Sequence, residues 1–394
     1  MSPRVGGILL GLVVLAPRLA RILHPGLWDE DAFVLASARL LAQGGEPYRD
    51  FDAPYLPAVE VGLALAFRVF GASVRVAEVA THAMQAGTAL LLAFAARRAF
   101  GRGAGIAAAA VFGASGLAFR YHVFEHEVPA SFALAGAFAL CAGGPPVTGR
   151  GRLALGACLA ASLLAKATVA AAVAGVLAWH LVATRDRRAT MRLGLGALLP
   201  LALLAGLLAL RHGSEFWLQS VVLHLVKGGN GDLLDRARIF QREVDLSVAA
   251  GICGAIAAWR APRGTLLSLA LAVAGAEAAA TLLLKTALWA HNLYPLLVPA
   301  SVLGGAALAR GIRSRRRPTP GGLALVALFL LLAANAARHA RVVATPGHEA
   351  FYGFGFFRRA RLEEVAEEVR AACPPGRAVE GSSPIFAFAA GRDP

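Results

Sequence analysis

Apolar residues form long, nearly unbroken runs along most of the chain, and short stretches between the runs hold most of the charged residues. A helix needs about 20 mostly apolar residues to cross the hydrocarbon core of a bilayer. The candidate runs start near Val5, Arg75, Gly103, Val128, Leu153, Thr168, Leu193, Val244, Gly264, Asn292 and Gly321. The pattern predicts an all-α polytopic membrane protein with about eleven transmembrane helices spread over residues 1–336.

One of these stretches, from Leu153 to Val182, is longer than a single straight helix requires. Its one charged residue, Lys166, lies near the middle. We therefore predict that two short or tilted helices meet at Lys166.

Two connecting segments are long enough to hold a site, and both fall on the same predicted side of the membrane. The first covers 24–74 and includes a helical pattern over 32–43. It also includes an apolar stretch over 57–70 that is too short to span and carries Glu60, so we expect interfacial helices. The second covers 212–243. The tail, 337–394, is predicted to be a short segment on that side with an amphipathic helix over 359–373.

Basic residues set the predicted orientation. The loops on the other side are short, rich in Arg and contain a single acid, Asp186. Lys and Arg are enriched in cytoplasmic loops of membrane proteins. We therefore expect a multi-pass protein of a bacterial-type inner (plasma) membrane, with its amino terminus cytoplasmic and its site and carboxyl terminus extracytoplasmic.

Composition excludes an ordinary soluble domain, because 57% of the 394 residues are hydrophobic and only 16% are charged. The net charge of +15 would suggest nucleic-acid binding in a soluble protein. Here the excess belongs to the cytoplasmic loops, where anionic membrane lipids are the natural partners. We expect no nucleic-acid partner.

Three consecutive acids follow Trp28 at the predicted extracytoplasmic end of the first helix, namely Asp29, Glu30 and Asp31. Adjacent carboxylates at a membrane surface repel one another, which raises a pKa or recruits a cation. Either outcome suits a general base or a metal ligand. Alternatively, these acids only stabilise a helix amino terminus.

The first loop resembles that of the polyprenol-phosphate-dependent glycosyltransferases of the C superfamily, which include protein O-mannosyltransferases and lipid A aminoarabinose transferases. The residues that carry the likeness are Asp29, Glu30, Phe33, Ala38-Arg39, Gly44, Pro47-Tyr48-Arg49-Asp50-Phe51, Pro54, Pro57 and Phe70-Gly71. The resemblance implies that Asp29 is the catalytic carboxylate, with Glu30 beside it. It also implies a polyprenyl-phosphate-linked sugar donor. The chain departs from the family at Ala53, where many members carry a Lys before paired prolines.

There is a second likeness to the family, whose members carry a basic residue before a Tyr-Leu-Leu-Pro-x-x-Pro stretch. In this chain the similar region contains Lys285, His291 and Tyr294. In the family this neighbourhood lies near the donor phosphate, so the resemblance implies phosphate contacts for these three residues. The alternative is an interfacial belt, in which Trp, Tyr and Lys anchor a span at headgroup depth.

Glu125, His126 and Glu127 lie in a short predicted turn between two helices. His and Glu side chains can bind a divalent metal, but crowding along the chain favours solvated loop residues instead. Glu127 is at the place where family members carry an acid, and all three residues are candidates for contact with the acceptor or with a metal. Metal dependence is left open, and no cofactor is certain.

In the family, a helix rich in small residues ends in a Lys-x-Thr motif, and Lys166 resembles the lysine of that motif. A lysine at that depth needs an anionic partner. The partner is either a carboxylate of an extracytoplasmic loop or the polyprenyl phosphate of the donor, and we favour the phosphate.

These features predict an inverting glycosyltransferase that moves a sugar from a polyprenyl-phosphate donor to a lipid, glycan or protein acceptor at the outer membrane face. The alternatives are a polytopic transporter or lipid flippase, and a catalytically inactive scaffold of the same fold. Transporters usually carry charges near the bilayer midplane and helices broken in paired halves. Here the polar residues cluster at helix ends, which favours an enzyme. The sugar and the acceptor are not specified by any motif.

Overall fold

The computed structural model describes residues 26–115, 125–222, 246–258, 264–283, 290–313 and 356–373, together with a few isolated positions. The predicted spans that start at Val5 and Gly321 lie largely outside the described residues. So do Lys285 and most of the second long loop.

Nine helices of the bundle coincide with predicted apolar runs. They are α3 Val74–Phe100, α4 Arg102–Gly113, α5 Glu127–Leu140, α6 Gly149–Ala165, α7 Ala170–Thr184, α8 Arg187–His212, α10 Leu246–Ala258, α11 Leu266–Leu283 and α12 Leu297–Arg313. Short 3₁₀ turns, Ala167–Val169 and Ala290–Leu296, precede α7 and α12. The predicted break at Lys166 is therefore confirmed, because Lys166 separates α6 from the turn that opens α7.

Two helices of the first loop precede the bundle. Helix α1 spans Asp29–Gln43 and helix α2 spans Ala58–Phe70. They pack against each other. The Arg68 guanidinium of α2 donates hydrogen bonds to the carbonyls of Leu41 and Ala42, each at 3.1 Å. This contact satisfies carbonyls at the end of α1 that have no partner within the helix.

The all-α prediction needs one correction, because the described residues include a short antiparallel strand pair. Strand β1, Gly26–Trp28, pairs with β2, Phe356–Arg358, and Trp28 lies opposite Phe356. Helix α13, Arg359–Ala372, follows β2 at once and matches the amphipathic helix predicted for the tail. The tail is thus joined to the chain immediately before Asp29.

Four described helical segments are long and apolar enough to cross a membrane: Val74–Phe100, Ala167–Thr184, Arg187–His212 and Leu293–Arg310. Large apolar side chains of α8, such as Leu203, Leu207 and Leu210, are more than half exposed, as expected for a lipid-facing surface. The chain is a mostly helical, multi-pass membrane protein. The count of eleven spans, the division at residue 336 and the orientation stay predictions.

Glycines allow the closest helix contacts in the bundle. A Cβ added at Gly254 of α10 would lie 2.3 Å from the backbone of Leu303 in α12, and one at Gly305 would lie 2.6 Å from the amide nitrogen of Ala108 in α4. Small residues at helix crossings let backbones approach and gain dispersion contacts, which replace the hydrophobic driving force inside a membrane.

Candidate functional site

The candidate site lies where α5 begins and α6 ends, which we call the Lys166 end of the bundle. His126 precedes α5, and Glu127 is its first residue. Lys166 follows α6, and Glu60 lies in the first turn of α2. These four polar side chains are all at least nine-tenths buried. Burial of so much charge requires pairing.

Lys166 and Glu127 form the first pair. The Lys166 ammonium donates to Glu127 Oε1, and the side chains are 5% and 1% exposed. Lys166 has an extended backbone (φ −154°, ψ 112°), so α6 ends before it. Of the two partners considered from the sequence, the structure pairs Lys166 with the carboxylate. A contact with the donor phosphate stays a prediction.

Glu60 and His126 form the second pair. His126 Nε2 lies 3.0 Å from Glu60 Oε1, and both side chains are buried. Among the described residues, the other carboxylate oxygen, Glu60 Oε2, has no hydrogen-bond partner. The pair joins α2 of the first loop to the start of α5.

Tyr55 lies between the two pairs. Its ring centroid is 4.8 Å from that of His126 and 5.5 Å from Lys166 Nζ. The second distance is within the range of a cation–π contact. A residue of the first loop thus connects both buried pairs, and it is only half-buried itself.

The Pro47–Phe51 turn of the first loop packs on the end of α8 and on the short helix α9, Ser214–Trp217. Tyr48 O–H donates to the Tyr55 carbonyl at 3.0 Å, and Ser220 Oγ donates to Tyr48 Oη at 3.2 Å. The Ala53 amide donates to Gln219 Oε1 at 2.8 Å. These bonds fix the loop that carries Tyr55.

Tyr48 is the most strained residue of this turn. Its φ of +67° is left-handed, a region that non-glycine residues rarely adopt. Burial raises the pKa of Tyr48, and the nearby Glu60 charge adds to this, although the Ser220 hydrogen bond acts in the opposite direction. The phenol therefore stays neutral and able to donate. Strain held by surrounding contacts is common at functional sites.

Asp50 stabilises the same turn from the surface. Its Oδ2 accepts from the Glu46 amide at 2.8 Å, and the Arg49 guanidinium donates to its Oδ1 at 3.0 Å. The Arg49 and Glu46 hydrogen bonds hold the pKa of Asp50 below its ordinary value. Arg211 of α8 pairs with Glu46. Charged residues thus tie the turn to the bundle.

Asp29 and Glu30, the predicted catalytic acids, are described through their backbone alone. Asp29 is the first residue of α1 and directly follows β1. Both alternatives considered for this acidic cluster, a general base and a helix amino terminus, are compatible with that position. The catalytic role stays a prediction.

The predicted phosphate contacts lie elsewhere. Lys285 lies outside the described residues, as does the side chain of His291, whose backbone forms part of the 3₁₀ turn before α12. Tyr294 is 1% exposed, and its ring meets that of Phe112 edge-to-face, with centroids 6.3 Å apart. Tyr294 thus contributes to the core, and its contact with the donor phosphate stays a prediction.

Within the described part of the chain, no group of three or more His, Cys, Asp or Glu side chains is arranged to hold a metal ion. Glu127 is engaged by Lys166, and His126 is engaged by Glu60. Glu125 is buried beside them. The proposed acceptor role of these three residues stays a prediction.

The buried pairing of Glu60 with His126 was not predicted from the sequence, although a single acid in an otherwise apolar helix was a visible signal. No role was predicted for Glu277 either. Glu277 Oε1 of α11 accepts from the Ala172 amide at 2.9 Å, in the first turn of α7. A buried carboxylate therefore caps the helix that begins just after Lys166.

No protein-family model and no curated protein matches the sequence. Solved structures do match the fold. The chain superposes on ArnT from Cupriavidus metallidurans bound to undecaprenyl phosphate with a TM-score of 0.71 and 16% identity, covering 100% of this chain and 86% of ArnT.

The chain therefore has the fold of ArnT. Two archaeal structures share this fold. The apo oligosaccharyltransferase of Archaeoglobus fulgidus matches with a TM-score of 0.60 and 13% identity, over 95% of this chain and 59% of that protein. AglB from the same organism, in complex with an inhibitory peptide and a dolichol-phosphate, matches with a TM-score of 0.57 and 12% identity, over 94% and 58%.

Proposed function

We propose that the protein is an inverting glycosyltransferase that takes a sugar from a polyprenyl-phosphate donor and transfers it to an extracytoplasmic acceptor. The observation that carries this proposal is the whole-chain likeness to ArnT bound to undecaprenyl phosphate. The AglB structure with a dolichol-phosphate supports the same class of donor. The acceptor is a lipid, a glycan or a protein.

Asp29 is the proposed general base. An inverting transfer needs a base that removes the proton of the acceptor hydroxyl while the lipid phosphate leaves from the opposite face of the sugar. One carboxylate is sufficient, and Glu30 would help to tune its pKa as a neighbouring negative charge. The position of Asp29, at the junction of β1 and α1, supports this role because strand pairing with β2 anchors the preceding residues.

The leaving phosphate needs a cation or hydrogen-bond donors more than it needs a proton. We assign this contact to Lys285 and His291. The charge of Lys166 is already compensated by Glu127, so a phosphate contact from Lys166 would require that ion pair to open. Tyr294 would support the phosphate site through the packing of the helix that follows His291.

The transporter and scaffold alternatives are less well supported. Lys166 and Glu127 lie at helix ends rather than at helix midpoints, and each is neutralised by the other. A scaffold has no need for a strained, buried tyrosine or a buried acid with an unsatisfied oxygen.

A reconstituted assay tests the proposal. Protein in liposomes is supplied with polyprenyl-phosphate-linked sugars extracted from membranes of the source cells, together with an envelope fraction as acceptor. Wild-type protein is expected to release free polyprenyl phosphate, detected by mass spectrometry, and Asp29→Asn is expected to release none above background. Equal release by both proteins would remove Asp29 from the mechanism.

A further inference from the structure

The Glu60–His126 pair is the part of the Lys166 end that the proposed chemistry does not use. Glu60 Oε2 is buried and accepts no hydrogen bond from the described residues. A buried carboxylate oxygen without a partner is costly, and such atoms in native proteins usually indicate a bound water, ion or ligand. The question is which chemistry fits beside it.

Charge argues against an anion at this place. Among the described residues, Glu60 pairs with His126, Glu127 pairs with Lys166, and Glu125 is buried near Lys166. A phosphate brought here would lie beside the Glu60 carboxylate, and two negative charges repel strongly in a region of low dielectric constant. A neutral group that donates hydrogen bonds to a carboxylate meets no such penalty.

Tyr55 adds an aromatic face to the same place. The ring is half-buried, and it contacts His126 on one side and faces Lys166 on the other. Pro54, beside it in the chain, is exposed. Aromatic walls with a few well-placed polar groups are typical of sites for small polar ligands. A sugar ring combines the two requirements, because it has an apolar C–H face and several hydroxyl groups.

We propose that Tyr55, Glu60 and His126 form the subsite for the sugar ring of the lipid-linked donor. Glu60 Oε2 accepts from a sugar hydroxyl, His126 holds Glu60 in place, and the Tyr55 ring covers one face of the sugar. This inference rests on the proposed function. It separates sugar recognition, at the Lys166 end beside α5, from phosphate recognition, which we assign to Lys285 and His291.

The test uses the full-length protein in detergent and the polyprenyl-phosphate lipid fraction of the source membranes, which contains bare and sugar-linked forms. Lipids retained by the purified protein are quantified by mass spectrometry. Glu60→Gln, which removes the charge at constant size, is expected to lower the ratio of sugar-linked to bare lipid by about tenfold. Retention of bare polyprenyl phosphate is expected to stay within about twofold of the wild-type level.

Glu215→Gln is the matched control, because Glu215 is an exposed acid of α9. It is expected to leave the ratio unchanged. Tyr55→Leu and Tyr55→Phe test the subsite independently of Glu60: the leucine variant is expected to lower the ratio and the phenylalanine variant to keep it. Thermal unfolding of each variant verifies that the protein is folded.

An unchanged ratio in both Glu60→Gln and Tyr55→Leu would overturn the subsite, as would parallel loss of both lipid forms. Wild-type protein that retains only the bare form would also overturn it. Wild-type protein that retains no polyprenyl phosphate at all would instead contradict the proposed function, so the two failures are distinguishable.

Discussion

Lys166, at the break between α6 and α7, forms a buried ion pair with Glu127, the first residue of α5. The pair joins the start of α5 to the end of α6. It lies beside Tyr55 of the first loop, so the stability of this end and the placement of the loop depend on the same two charges.

Breaking the pair from one side is expected to be strongly destabilising. Lys166→Met leaves the Glu127 carboxylate buried without its cation, at an expected cost of about 3–5 kcal/mol in the free energy of unfolding. The double variant Lys166→Met/Glu127→Gln is expected to recover a large part of this loss, because no uncompensated charge remains. Unfolding in detergent, followed by tryptophan fluorescence, measures both; strictly additive losses would contradict the pairing.

Close helix packing at Gly254 can be tested with a matched pair of variants. Gly254→Ala places a Cβ 2.3 Å from the Leu303 backbone, so we expect the free energy of unfolding to fall by about 1–3 kcal/mol. Gly275→Ala is the control, since nothing lies within 4 Å of a Cβ added at that helical position. The control is expected to be neutral or to gain up to about 1 kcal/mol from helix propensity. Similar melting temperatures for the two variants would contradict the α10–α12 contact.

The Asp50 carboxylate makes the stability of the first-loop turn depend on pH in a known direction. Its pKa is lower in the folded protein than in the unfolded chain, so its stabilising effect is present at neutral pH and is lost as the pH falls through the folded pKa. Asp50→Asn is expected to accelerate hydrogen exchange of the Glu46 amide at neutral pH. At strongly acidic pH the two proteins should exchange equally, and a difference that persists there would exclude the carboxylate as the cause.

Pairing of β1 with β2 predicts a specific cross-link. Leu27 and Phe357 are opposite one another, and facing residues of antiparallel strands lie about 4.5–5.5 Å apart at their Cα atoms, within disulfide range. Leu27→Cys/Phe357→Cys, in a background with the four native cysteines replaced, should form a disulfide under mild oxidation. Leu27→Cys/Val369→Cys, with its second cysteine in α13 outside the strand pair, should not. Equal cross-linking of both pairs would contradict the register.

The local part of this architecture could be predicted from sequence. The break at Lys166 follows from the length of an apolar run that a single span does not need, and the tail helix follows from its amphipathic period. Both depend on neighbours in the chain. The donor-phosphate roles of Lys285, His291, Tyr294 and Lys166 were inferred from resemblance and stay predictions.

Contacts between distant segments could not be predicted in the same way. Glu60 was expected at the membrane interface because its helix is short, and that placement stays a prediction. Its partner His126 is 66 positions away along the chain. Strand β2 pairs with residues more than 300 positions earlier. Nothing near either segment in the sequence identifies its partner, because three-residue strands carry no periodicity and a lone acid does not specify which distant residue it meets.

The proposed role of Asp29 in sugar transfer from a polyprenyl-phosphate donor can be measured in cells that lack the protein. Polyprenyl-phosphate-linked sugars and envelope glycans are quantified by mass spectrometry after complementation with wild-type protein or Asp29→Asn. Wild-type protein is expected to restore the envelope sugar, whereas Asp29→Asn is expected to leave the lipid-linked sugar accumulated at the level of the deletion strain. Full restoration by Asp29→Asn would exclude Asp29 as the catalytic carboxylate.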